Sequence, residues 1–228
     1  MKKTSTVRIN GNMIFKGHKL TIGVDLGDRW SNYCVLDEAG EVLLEQKVAT
    51  TPEGMKQTFE RIPRSLMALE TGTHSPWVSR LLKELGHEVL VAHAQKVNLI
   101  TKSTRKDDRH DARTLARLAR IDPELLGPVR HRSAKAQIHL TVIRARAALV
   151  SARTALVNAA RGLAKSYGQR LHKCGTQQVS RELAAELSVE LREVIEPLLK
   201  EIESLNERTK EYDVRMEKIA GRATRKSR

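Results

Sequence analysis

Four carboxylates stand at positions from which they could meet around a divalent metal ion. Asp25 ends a β-branched run, Glu70 ends an apolar run, and Asp108 and Asp111 lie three residues apart at the start of a helical pattern. Hard oxygen ligands of this kind suit Mg²⁺ or Mn²⁺. Two-metal chemistry on phosphodiesters needs several carboxylates around ions about 4 Å apart. The four residues therefore predict metal-dependent chemistry on a nucleic acid.

Each of these residues also has an ordinary structural explanation when it is taken alone. Asp25 could form a turn, Glu70 could be a charge at the rim of the fold, and either helical aspartate could be an N-cap. Asp107 is the nearest competitor for a ligand role, but a shift by one residue moves a side chain to a different helix face, so Asp108 is preferred. The joint placement favours one site, with the same four residues as catalytic and metal-binding groups: Asp25, Glu70, Asp108 and Asp111.

The chain is strongly basic, and its positive charge is concentrated. The formal net charge is +14, and residues 101–173 alone contain 17 basic and five acidic side chains. Such a block predicts a surface for a polyanion. Aromatic residues make up only 3% of the chain, which disfavours base stacking as the mode of binding. The candidate nucleic-acid contacts are Lys102, Arg105, Lys106, Arg109, Arg113, Arg117, Arg144, Arg146, Arg153 and Arg161.

The composition also bears on the compartment. No apolar run approaches the roughly 20 residues that span a bilayer, and the N-terminus lacks the apolar stretch of a secretory signal. Cys34 and Cys174 are the two cysteines, and neither belongs to a CxxC pair. We therefore expect a cytoplasmic chain with reduced thiols and without a membrane partner.

Strands and helices alternate before residue 108 in an order that can position the first two carboxylates. The predicted strands cover residues 20–26, 30–36, 42–48, 65–69 and 88–92. A helix over 51–61 begins with Thr51 as N-cap and Pro52 at its first position, and another runs from Ser75 to a stop at Gly86. Three meandering strands followed by βα alternation predict the α/β class, with a ribonuclease H-like mixed sheet and helices packed on it.

Beyond Asp108 the apolar spacing becomes helical. After a break at Asp122 and Pro123, we predict a long helix over 134–171, a loop over 172–180 and a second long helix from Arg181, in which Pro197 should cause a kink or break. The two helices predict an antiparallel hairpin, or a seam with another protomer. The predicted seam residues are Val142, Ala145, Leu149, Ala152, Leu156, Ala159 and Leu163 on the first helix, and Leu198, Ile202, Leu205, Thr209, Tyr212, Met216 and Ile219 on the second.

Three segments of the chain resemble a known family in the correct order. They are residues 22–27 (IGVDLG), 68–72 (ALETG) and 106–113 (KDDRHDAR), and the last fits a K-x-D-x-x-D-A pattern. Together they resemble the N-terminal part of the DEDD transposases of the insertion-sequence 110 family, which are related to the Piv DNA invertases. The resemblance extends over about residues 20–220.

This resemblance implies a RuvC-like domain that uses Mg²⁺ for DNA cleavage and strand transfer. It also implies double-stranded DNA and a structured guide RNA as partners, a homo-oligomer, and a place at the nucleoid of a prokaryote. Members carry a serine nucleophile in a second, C-terminal domain, and no serine here matches that motif, so we expect a C-terminally truncated product. The expected regions are a disordered basic tail (1–18), the RuvC-like DEDD domain (19–132), a helical hairpin or coiled coil (133–222) and a basic tail (223–228).

Two other classes of function remain open at this stage. Residues 22–27 also resemble the phosphate loop of the actin, Hsp70 and sugar-kinase group, which would make the chain an ATP-binding fragment. No second phosphate loop or glycine motif for adenosine follows, and the acidic pair in a basic helix would be unexplained. The third class is a non-catalytic regulator that binds DNA or RNA, and salt would weaken that binding strongly.

Overall fold

The computed structural model describes residues 19–96 and 108–224, and it describes side chains within 19–96 and 111–221. The chain divides into two compact units, residues 1–131 and 132–228. The predicted tails at 1–18 and 223–228 lie almost entirely outside the described residues, and so does the segment 97–107.

The first unit is built on a five-stranded mixed sheet in the order β3-β2-β1-β4-β5. Its strands are β1 (Thr21–Asp25), β2 (Trp30–Leu36), β3 (Val42–Ala49), β4 (Leu66–Glu70) and β5 (Glu88–Ala92). The first three strands form an antiparallel meander, whereas β4 is parallel to β1 and β5 is parallel to β4. This is the predicted ribonuclease H-like arrangement, and the predicted fold class is confirmed.

One face of the sheet is covered by two short helices, α1 (Pro52–Phe59) and α2 (Ser75–Glu84). The Thr51 side chain accepts a hydrogen bond from the Gly54 amide, so α1 begins at the predicted cap. Gly86 has a φ of +92°, a conformation that favours glycine and ends α2 as predicted. Alternate residues of β1 and β4, such as Ile22, Val24, Met67 and Leu69, are fully buried in the core on this face.

The other face is covered by α3 (Asp108–Ile121), which ends before a short 3-10 turn, Pro123–Leu126. Its buried residues Ala112, Leu115, Ala116 and Ala119 pack against small residues of the sheet. Contact is closest at Gly23, where a Cβ would lie 2.0 Å from the Ala112 carbonyl oxygen and 2.5 Å from the Ala116 nitrogen. Glycine in the middle strand therefore lets the start of α3 lie directly on β1.

The second unit is an antiparallel pair of long helices, α4 (Ala134–Ser166) and α5 (Val189–Thr224). The Arg153 guanidinium donates to Asn206 Oδ1 at 2.9 Å, and Arg146 pairs with Asp213 farther along, which fixes the opposite directions of the helices. The core of the unit contains Val157, Ala160, Ala164, Ile195, Leu199 and Ile202. The predicted hairpin is thus formed within one chain.

Three details of the second unit differ from the sequence prediction. The buried stripe of α4 is Arg153, Val157, Ala160 and Ala164, so the predicted seam over the second half of this helix is one residue out of phase. Residues from Arg181 first form a 3-10 turn, Arg181–Glu186, and α5 begins only at Val189. Pro197 lies inside α5, which continues to Thr224, so the predicted break does not occur and the alternative, a kink, stays a prediction.

Candidate functional site

Asp25 and Glu70 end neighbouring parallel strands at the same level of the sheet. Val24 is paired with Leu69, so the two carboxylates are the next residues of β1 and β4. Side chains two residues apart on a strand share a face. Gly23 meets α3, and Ala68 packs with Leu115 of the same helix, which puts both carboxylates on the α3 side. The structure thus brings together two of the four predicted residues.

Asp111 approaches this pair from α3. It precedes Ala112, the residue that lies against Gly23, and its own side chain is exposed. Burial raises the pKa of the Glu70 carboxyl above its ordinary value, and the negative charge of Asp111 raises it further. Two like charges close together disfavour ionisation of one of them. A divalent cation between them would remove that repulsion.

Asp108 is the first residue of α3, one turn before Ala112, and its side chain lies outside the described residues. Among the residues whose side chains are described, no three of histidine, cysteine, aspartate and glutamate are close enough to hold a metal ion. The full set of Asp25, Glu70, Asp108 and Asp111 therefore stays a prediction.

The strand ends continue into two loops that enclose a cavity of about 230 Å³. In the second of these loops, His74 Nδ1 accepts a hydrogen bond of 3.1 Å from Trp77 Nε1, and His74 Nε2 lies 3.6 Å from Asp28 Oδ1. The cavity is lined by Leu26, Gly27, Asp28, Gly72, Thr73 and His74.

The two predicted nucleic-acid contacts on α3 with described side chains differ in their surroundings. Arg113 forms a two-pronged ion pair with Glu45 of β3, with Nε–Oε1 and NH2–Oε2 distances of 2.7 Å. Arg117 is exposed and forms no ion pair with a described residue. Lys102, Arg105 and Lys106 lie outside the described residues, as does the side chain of Arg109.

The four arginines of α4 that were predicted to contact nucleic acid differ in their exposure to solvent. Arg144 is exposed, Arg146 is paired with Asp213, and Arg161 donates to the Cys174 carbonyl at 2.7 Å. Arg153 is only 4% exposed and lies inside the hairpin. A phosphate cannot reach a buried guanidinium, so the predicted nucleic-acid role of Arg153 is corrected to a structural one.

Sequence reasoning missed Asn32, which is paired directly with Asp25 across β1 and β2. Its side chain is 6% exposed, and no residue in the described part of the chain hydrogen-bonds its Oδ1. Strand alternation contains the signal for this residue, since Asn32, Cys34 and Leu36 form one face of β2 and only the first of them is strongly polar.

The fold and these residues define a class: a ribonuclease H-like domain with acidic residues at the ends of its two middle strands and a helix that begins with an acidic pair. Residues 22–168 match the family model of the insertion-sequence 110 DEDD proteins, which is described as a transposase. This match covers more than half of the chain. The chain therefore belongs to this transposase family.

Two individual proteins are similar to the chain. A probable family 20 transposase of Pseudomonas aeruginosa is 31% identical over 147 residues, which are 64% of this chain and 42% of that protein. The chain thus corresponds to less than half of its relative. The second is a solved structure of T. thermophilus RuvC in complex with a Holliday junction substrate, with 15% identity and a TM-score of 0.34 over 46% of this chain and 98% of that one. A TM-score of this size supports no functional conclusion.

Neither described stretch of the chain contains a helix long and apolar enough to cross a membrane.

Proposed function

We propose that this chain is the metal-binding part of a transposase, which holds DNA and supports cleavage and strand transfer at a phosphodiester. The observation that carries the proposal is the pair of carboxylates, Asp25 and Glu70, side by side on parallel strands beneath a helix that begins at Asp108. Membership of a transposase family supplies the reaction class. The prokaryotic nucleoid is the corresponding place of action.

The donor atoms at this place fit Mg²⁺ or Mn²⁺. Carboxylate oxygens are hard ligands, and the raised pKa of Glu70 beside Asp111 is evidence of a local excess of negative charge. In this proposal Asp25, Glu70, Asp108 and Asp111 hold the cation. When bound, the ion activates the attacking oxygen and stabilises the leaving oxygen of the phosphodiester.

In this proposal, basic residues of the chain bind the nucleic acid. Arg117 on α3 and Arg144 on α4 are both exposed. Such side chains bind phosphates without reading the sequence. The proposed partners are those that the family resemblance implies. They are double-stranded DNA, a structured guide RNA and further copies of the same chain in a homo-oligomer.

The test separates binding from chemistry in a transposase that contains this chain together with the rest of the protein. Asp108→Ala should abolish Mg²⁺-dependent cleavage and strand transfer while nucleic-acid affinity stays within about twofold of the parent, since acidic residues do not bind phosphates. Gel assays of strand transfer and fluorescence anisotropy measure the two properties. Glu124→Gln, which removes an exposed charge on the 3-10 turn, is the control and should leave both unchanged. Normal recombination by the Asp108→Ala variant would refute the site assignment.

A further inference from the structure

The α3 side of β2 is apolar except at one position. Cys34 and Leu36 are fully buried and pack against Ala112 and Ala116 of α3. Asn32 continues the same row of side chains toward the end of the strand, and it is also buried, with 6% of its surface exposed. An apolar residue would suit the packing better at this position, so packing alone does not account for the amide.

The Asn32 side chain has an unfulfilled hydrogen-bonding capacity. Its Oδ1 is buried and has no hydrogen-bond partner among the described residues. A buried polar atom without a partner costs free energy, and native proteins usually give such an atom a partner or a function. Asn32 lines a cavity of about 50 Å³ beside Ala112 at the start of α3, together with Glu45 and Lys47. This space lies on the β3 side of Asn32, away from Asp25, and is enough for a water molecule.

The pairing of the strands puts this amide next to the carboxylates. Asn32 is opposite Asp25 on the antiparallel β1, and Glu70 occupies the corresponding position on β4. Directly opposed residues on one face of a sheet have Cβ atoms about 5 Å apart. An oxygen donor therefore stands in the same row as the two acidic strand ends.

From this arrangement we propose that Asn32 is a further member of the metal site, whose Oδ1 binds the divalent cation at Asp25 directly or through one metal-bound water. The inference rests on the proposed function and deepens it. An amide supplies a hard oxygen without adding another negative charge to the row that already holds Asp25 and Glu70. The cation gives the buried oxygen a partner that no described residue provides.

The experiment is a titration of the full chain with Mn²⁺, followed by the electron paramagnetic resonance of the free ion and by the rise of Tm on adding Mn²⁺. Asn32→Leu should weaken Mn²⁺ binding by about tenfold, the size of effect seen when groups around a metal site are removed. Its Tm without metal should equal or exceed that of the parent, because the unpaired amide has been replaced by an apolar group of similar size. Asn32→Asp, which keeps an oxygen donor, should retain Mn²⁺ binding.

Ser31→Ala is the matched control. Ser31 is the neighbouring residue of β2, is fully buried, and faces the opposite side of the sheet, where its hydroxyl hydrogen-bonds Thr50 at 2.8 Å. This variant should lose stability without a change in Mn²⁺ affinity. If Asn32→Leu behaves in the same way, Asn32 has only a structural role and the inference is wrong.

Asp25→Asn distinguishes failure of this inference from failure of the metal site itself. If Asp25→Asn weakens Mn²⁺ binding and Asn32→Leu does not, only the role of Asn32 is refuted. If Asp25→Asn leaves Mn²⁺ binding unchanged, or the parent chain binds no Mn²⁺, both proposals fail. Should Asn32→Leu not fold, Asn32→Ala replaces it with the same expected loss of affinity.

Discussion

At the scale of single residues, like charge is the main feature of the candidate site. Glu70 is partly buried at the end of β4, and both burial and the charge of Asp111 raise its pKa. The folded chain therefore binds the Glu70 proton more tightly than the unfolded chain does. The stability that comes from this proton is fully present below the unfolded pKa of about 4.3 and is lost as the pH rises through the folded value.

Glu70→Gln should therefore stabilise the metal-free protein at neutral pH. We expect a gain of about 0.5 kcal/mol at pH 7, within the range for partly exposed charges, and no gain at pH 3.5, where the carboxyl is neutral in the parent as well. Urea denaturation in the presence of a chelator measures both values. Glu124→Gln, which removes another exposed carboxylate, is the control and should change the free energy of unfolding by less than about 0.5 kcal/mol. A Glu70→Gln variant that is less stable than the parent at pH 7 would contradict the electrostatic account.

The arginines of α4 differ in how far their side chains are exposed to solvent. Arg144 is exposed, whereas Arg153, on the same helix, is buried and bonded to Asn206. Arg144→Ala should weaken DNA binding several-fold and reduce the salt dependence of log K by about one unit, as expected for one lost phosphate contact.

Arg153→Ala is the matched comparison. It should lower the free energy of unfolding by about 1–3 kcal/mol, because Asn206 Oδ1 loses its partner inside the hairpin, while the affinity of the folded protein for DNA stays the same. Anisotropy titrations at several salt concentrations and chemical denaturation give both results. If Arg153→Ala instead reduces the salt dependence of log K for DNA binding, Arg153 contacts DNA and its structural assignment is wrong.

At the scale of secondary-structure elements, the site depends on how closely α3 approaches β1. Only a residue without a side chain allows the Ala112 carbonyl to lie over Gly23. The same helix contains Asp111 and begins at Asp108, so the approach also sets the distance between its carboxylates and the strand ends. A residue without a side chain in the middle of this strand is thus required for the close contact between helix and sheet.

Gly23→Ala should move α3 away from the sheet. The added methyl group meets backbone atoms that cannot turn aside, so we expect a loss of about 1–3 kcal/mol, typical of an overpacked core. A larger separation of Asp111 from Glu70 should also lower the Glu70 pKa toward its ordinary value, which a ¹³C NMR titration detects. Gly72→Ala is the control, since a Cβ there meets nothing within 4 Å and the expected change is within about 0.5 kcal/mol. Equal stability of both variants would show that α3 is not tightly seated.

At the scale of the whole molecule, the chain has two units with separate cores. Leu69 is fully buried in the sheet unit, and Ile195 is fully buried between the two long helices. The boundary between residues 131 and 132 lies close to the predicted start of the helical region at residue 133. Separate cores allow each unit to open without the other.

Leu69→Ala and Ile195→Ala should therefore act on different parts of the chain. Each should cost about 2–5 kcal/mol, as large-to-small changes in a core do. Hydrogen exchange followed by mass spectrometry should show faster exchange only in the sheet for Leu69→Ala and only in α4 and α5 for Ile195→Ala. Faster exchange throughout the chain in both variants would mean that the units unfold together.

The local signals of the sequence were sufficient for much of the fold. The succession of strands and helices along the chain follows from short-range periodicity. The start of α1 at Thr51 and Pro52 and the end of α2 before Gly86 follow from backbone preferences. The acidic strand ends, Asp25 and Glu70, were also predictable, because parallel neighbouring strands bring equivalent ends together. These features depend on residues that are close in the chain or on a simple rule of strand pairing.

The phase of α4 and the surroundings of single polar side chains were decided by tertiary structure. Apolar residues stand next to each other in this helix, as in Leu156-Val157 and Leu163-Ala164, so periodicity alone allows two neighbouring stripes. Docking of α5 selects the later one, and this buries Arg153. In the same way, the pairing of β2 with β1 and the seating of α3 leave Asn32 buried beside Asp25. Burial depends on a partner that is distant in sequence, and local propensity contains no information about that partner.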